Sequence, residues 1–214
     1  MRLSARAMAR AIITATEAKT AALEDLDIRS TFSPDLPATG TGTDNVLVVQ
    51  GQGFPIDNAG GHSKMGELIA RAVYQGVTEA IARQNGITRD RSVFARLDER
   101  HINLPRVVAE AEGSCDGLDR NALLAEVENL LVDPQYAGFM TSAFAISDAR
   151  QRGGVTDLHA FDEWGKTISR SIAHSAEVKG QYRLAQGRMP AVVTMAFESL
   201  INGACAGHNH PVKP

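Results

Sequence analysis

Between Asn45 and Gln50 the chain reads NVLVVQ, a β-branched run without a charge. The stretches on either side, TFSPDLPATGTGT and GQGFPIDNAGG, are dense in turn formers. A short apolar run bounded by Gly and Pro predicts a strand covered on both faces. Such a strand requires helices to cover it, and helical spacing flanks it. Met8, Ile12, Ala15 and Ala22 form one stripe, which Leu23 and Leu26 extend. Met65, Leu68, Ile69, Ala72, Val73, Val77, Ala80 and Ile81 form a second. The second helix is predicted to stop at Gly86 in a left-handed C′ conformation. Gly76 lies on its stripe, where a missing Cβ would let another backbone approach.

From Asn85 onward strand signals thin out. Leu123, Val127, Leu130 and Leu131 form a helical stripe behind a cap at Asp119. Asp133 and Pro134 then read as a cap followed by a proline at the first helical position. Phe161, Trp164, Ile168 and Ile172 make another stripe, ending near Gly180. Pro190 opens the last, with Val193, Phe197, Leu200 and Ile201. The expected fold class is α/β: a mixed α/β segment over residues 1–88, then a mainly α-helical region over 89–214.

Composition excludes several function classes. With 22 basic against 25 acidic residues and a net charge of −3, no basic field points to nucleic acid. Aromatics, at 5%, are too few for a base-stacking platform. No stretch approaches the ~20 apolar residues of a membrane span. At the N-terminus, Glu17 and Lys19 interrupt the apolar patch before a signal-peptide core forms. Cys115 and Cys205 share no CxxC pattern, so reduced thiols and a cytoplasmic setting are the expectation. The acids around Cys115 would also raise its thiol pKa and oppose nucleophilic use.

Three segments in order, ITATEAKTAALEDLDI, PATGTGTDNVLVV and AGGHSKMGELIARAVYQGVTEAI, resemble the adenosylcobinamide amidohydrolase family of corrinoid-salvage enzymes. The residues that carry the resemblance are Glu17 to Thr20, Ala38 to Asp44 and Ala59 to Ile69. It covers about residues 8–85 and matches the C-terminal half of the family domain. It implies a corrinoid substrate and hydrolysis of the amide between the aminopropanol arm and the corrin ring, giving adenosylcobyric acid. Because the family's preceding half is absent here, a fragment of a longer amidohydrolase, or a chain that needs a partner, is a further expectation. Residues 90–214 carry no such likeness.

Amide hydrolysis needs an activated water, a stabilised oxyanion and a protonated leaving amine. His62, Asp44 and Glu17 are the candidate catalytic residues. Histidine is the side chain type suited to acid–base work near neutrality, and His62 stands just before the second helix. Asp44, at the strand mouth, would orient a threonine or act as base, and Glu17 would act as base or support one. Thr39, Gly40, Thr41, Gly42 and Thr43 offer hydroxyls and freed backbone amides for substrate binding, joined by Lys19 and by Ser63 at the helix start. Glu17 and Thr20 share a helix face, with Lys19 pointing elsewhere. The bland reading of the threonine loop is a turn satisfying its own backbone. No Walker loop, cofactor motif or metal-ligand set stands out; no further metal ligand stands at a recognisable spacing from Glu99 and His101, and His208 and His210 lie in a Pro-ended tail. Trp164 reads as core. Alternatives to the enzyme are a non-catalytic corrinoid- or phosphate-binding module and an inter-subunit scaffold, with homo-oligomer formation left open.

Overall fold

The computed structural model describes residues 1–42, 44–111, 115, 118–178, 182–184 and 187–208. The chain divides into two units, Met1–Arg91 and Ser92–Pro214.

In the first unit, α1 (Ala5–Asp25) begins where the Ser4 side chain accepts a hydrogen bond from the Ala7 amide. α2 (Lys64–Asn85) begins likewise at Ser63, whose hydroxyl accepts from the Gly66 amide at 3.0 Å. It stops at Gly86, whose φ of 68° is the left-handed ending the sequence predicts. β1 (Arg2–Leu3) and β2 (Pro55–Ile56) run parallel, with Arg2 opposite Pro55 and Leu3 opposite Ile56.

That two-residue ladder is the whole sheet among the described residues, so the α/β expectation holds only in part: the protein is mostly helical. Asn45–Gln50 is not a strand. Among the described residues no backbone hydrogen bond pairs Val46–Gln50 with another segment. Val48 packs on a small core of Ala7, Ala11 and Ala59, whereas Leu47 is 87% and Val49 72% exposed. The in-and-out alternation of a strand is there, but a strand exists only by pairing, and no neighbour supplies it.

The buried face of α1 also differs from the predicted stripe. Ala7, Ala11, Thr14, Ala15, Ala18, Ala22 and Leu23 are buried, while Ile12 faces solvent. On α2 the predicted stripe is only partly covered, and Gly66 is the helix's buried residue. A Cβ on Gly66 would fall 2.0 Å from the Gly60 carbonyl oxygen, so glycine lets the helix start close on the preceding turn. Gly76 has nothing within 4 Å of where its Cβ would stand, so the predicted close backbone neighbour is not there.

The second unit contains α3 (Val93–Glu99), α4 (Leu104–Glu110), α5 (Arg120–Val132), α6 (Pro134–Gln151), α7 (His159–Ala173) and α8 (Ala191–His208). Val192, Val193, Ala196, Phe197, Leu200 and Ile201 of α8 are fully buried, as in a helix surrounded by others. The predicted stripes of α5 and α7 are buried too, apart from Trp164, which is 40% exposed and stands edge-on to Phe139 at 4.9 Å. Asp119 caps α5 by accepting from the Ala122 amide, and Asp133 caps α6 ahead of Pro134. α7 ends at Ala173, where His174 takes a left-handed conformation with φ 48°; Gly180, the predicted end, lies outside the described residues.

Cys115 and Cys205 form a disulfide, with Cα atoms 5.4 Å apart. This corrects the expectation of two reduced thiols. Ninety positions separate them in sequence, and only the fold brings residue 115 to the C-terminal half of α8. The cysteine argument for a reducing compartment falls with it. Among the described residues, no helix is long and apolar enough to cross a membrane.

Candidate functional site

The threonine loop is fastened to α1 by two adjacent residues. Thr20 donates its hydroxyl to the Thr39 carbonyl at 3.0 Å, and the Lys19 ammonium pairs with the Asp44 carboxylate. Asp44 also accepts from the Thr41 amide at 2.8 Å and from the Thr41 hydroxyl at 2.7 Å. Gly40 makes this closeness feasible, since a Cβ there would lie 2.9 Å from Asp44 Oδ2 and 3.2 Å from Lys19 Nζ. Gly42 stands in open space, and Thr43 lies outside the described residues. The cluster thus unites Lys19, Thr39, Gly40, Thr41 and Asp44.

The hydrogen bond from Lys19, then those from Thr41, hold Asp44 down from the ordinary carboxylate value of 3.8 to about 2. A depressed carboxyl pKa stabilises the fold above the unfolded value, and that contribution disappears as the pH falls through the folded one. Acid titration of the protein should therefore show a loss of stability between about pH 4 and pH 2 that Asp44→Asn lacks; identical acid profiles for the two proteins would refute the pairing.

The turn before α2 is fastened to the same helix. Thr14, buried on α1, donates to the Ala59 carbonyl at 3.0 Å. The Asn58 side chain accepts from the Gly60 amide, and Ser63 reaches the Gly60 carbonyl at 2.8 Å as well as capping α2. His62 is exposed on this turn and makes no hydrogen bond or ion pair with a described residue. The same is true of the Glu17 side chain, so Glu17 joins neither cluster through a bond. From Thr14 to Thr20 the helix rises about 9 Å and turns so that the two anchors stand about 120° apart.

Thr14 and Thr20 are the anchors that sequence reasoning left out of the site. Reading a face from 3.6-residue spacing put Lys19 away from Thr20, yet the long lysine stem reaches round to the loop that Thr20 holds. The arrangement has clear chemical limits. A carboxylate with a pKa near 2 is a poor base for water near neutrality, but it keeps an ammonium in place. The Lys19 ammonium has three N–H donors, of which Asp44 takes one. The others can meet a developing oxyanion.

The other candidates gain little from the fold. Glu99 ends α3 and His101 follows with φ 55°; among the described residues no three metal-capable side chains gather. His208 is the last residue of α8 and exposed, and His210 lies outside the described residues.

Residues 1–89 match the family model described as adenosylcobinamide amidohydrolase, which includes both clusters. An uncharacterized protein from Methanocaldococcus jannaschii is 62% identical over 81 residues, or 38% of this chain. Those residues span 32% of that relative, so the match covers about a third of its length. No solved structure matches the chain.

Proposed function

We propose that residues 1–89 carry adenosylcobinamide amidohydrolase chemistry, with adenosylcobyric acid and free aminopropanol as products. The family-model match is the observation that carries this reading, and the anchored Lys19–Asp44–Thr41 cluster supplies chemistry suited to it. In the proposed reaction water adds to the amide carbon and gives a proton to His62, or to Glu17 as the alternative base. The carbonyl oxygen becomes an oxyanion facing the Lys19 ammonium and the Thr39 hydroxyl, while the Thr41 amide and hydroxyl stay bound to Asp44. Collapse expels the amine, which takes up the proton, so one water is consumed per amide broken. Asp44 acts by positioning Lys19 and Thr41 rather than as the base, because a carboxylate held at a pKa of about 2 is too weak a base to take the proton from water. Gly40 and Gly42 leave backbone amides accessible, and Ser63 presents the start of α2.

A second reading is favoured by the thin core of this unit. Three alanines form its buried cluster, while Leu47, Val49 and Phe54 lie open to solvent. Soluble domains rarely leave so much apolar surface bare. In this reading residues 8–85 belong to a longer amidohydrolase, further parts of which cover these apolar side chains.

Incubation of the purified full chain with adenosylcobinamide tests the enzyme reading. Released aminopropanol is the expected result. Tight corrinoid binding without release would replace it with the binding module, and neither binding nor release would overturn both.

A further inference from the structure

A cavity of about 440 Å³ in the second unit is lined by α7, by α8, by Ala176, Glu177 and Val178, and by Arg183. Its size falls within the roughly 300–1,000 Å³ of small-molecule sites. Its walls are braced. A Cβ on Gly165 of α7 would fall 2.4 Å from the Ser199 hydroxyl oxygen of α8, and one on Gly203 of α8 would fall 3.0 Å from the Ser169 carbonyl oxygen, so the two helices pack at close range. Asn202, almost fully buried, accepts from the Tyr182 amide at 2.9 Å and donates to the Tyr182 carbonyl at 3.2 Å. One turn earlier Glu198 accepts from the Leu184 amide at 2.9 Å. Two side chains of α8 therefore hold the third wall in place.

The charges around the cavity are unequally satisfied. Lys166 pairs with Asp162 at 2.6 Å and Glu163 at 2.7 Å, and Arg183 stands 3.5 Å from the second oxygen of Glu198. Arg170 lines the same cavity and its guanidinium has no partner among the described residues. A planar five-donor group at the edge of a braced cavity suits an oxyanion. The Glu198 carboxylate, mostly buried, is an acceptor for an amine or hydroxyl, and Met195 and Val178 give apolar walls.

We propose that this cavity binds a small molecule bearing one oxyanion, held by Arg170, and an amino or hydroxyl group within reach of Glu198. A cation in the last turn of a helix has a use without any ligand, so binding must be measured directly. Titration calorimetry and amide NMR shifts on the full chain would use O-phosphoethanolamine, β-alanine, inorganic phosphate and ethanolamine. At least one of the first two should bind and move resonances of α7 and α8, the stronger of them telling phosphate from carboxylate. Inorganic phosphate should bind more weakly, and ethanolamine should not bind. Arg170→Ala should weaken binding about 10-fold or more, as expected for a charge-assisted hydrogen bond, with helix content unchanged. Arg152→Ala, a substitution of an exposed arginine outside the cavity, should bind as the parent does. Absence of binding by both test ligands, or equal affinity in Arg170→Ala, would overturn the proposal.

Discussion

Reduction of the full chain, or Cys205→Ala, is expected to lower the stability of residues 92–214 by about 4–5 kcal/mol. The bond joins positions 90 apart, and closing a loop of that length removes unfolded-state entropy worth about 4.6 kcal/mol at 25 °C. Both sulfurs are buried among the helices, so the native state has little to gain from opening. Urea unfolding followed by circular dichroism, with and without a thiol reductant, is the measurement. The midpoint should fall sharply in the reductant and in Cys205→Ala, and the reductant should do nothing further to the variant. Coincident curves for oxidised and reduced protein would show that the cross-link contributes nothing to the unit.

The second large effect concerns the threonine loop. If the full chain releases aminopropanol, Lys19→Met should reduce kcat about 100-fold, the lower end of what loss of a preorganised donor to an oxyanion costs. Asp44→Ala should approach the same loss by a different route. It removes the acceptor that fastens the Thr41 amide and hydroxyl and the partner that aims Lys19. Asp44→Asn separates the two roles: its amide oxygen still accepts from Thr41, but the charge facing Lys19 is gone. A large fall in kcat with KM little changed, and unaltered helix content, is the expected pattern. Turnover at the parental rate in Asp44→Asn would exclude the charge pairing from catalysis, and parental turnover in Lys19→Met would exclude the ammonium from oxyanion stabilisation.

Legibility followed distance along the chain. The starts of α2, α5 and α6, the stop at Gly86 and the apolar stripes of α5, α7 and α8 each rest on residues within a turn or two of one another. Caps and periodicity are local events, so local reading finds them. The site was half legible for the same reason. The threonine loop and its aspartate stood out by composition, and Lys19 by the Glu17–Thr20 motif that carries the family resemblance, but nothing local says that these meet across 25 positions.

NVLVVQ shows where such reading stops. Its residues have the character of a strand, and Val48 and Leu47 do face opposite ways, yet pairing is a property of two segments. The same is true of Cys115 and Cys205, of Lys19 with Asp44, and of the cavity beside Arg170. The caps of α2, α5 and α6 and the stop at Gly86 were therefore written in the order of the residues, because hydrogen bonds within a helix span only four positions. Which strand finds a neighbour, which thiols join and which charges meet depended on groups tens of positions apart, and only packing in three dimensions could settle them.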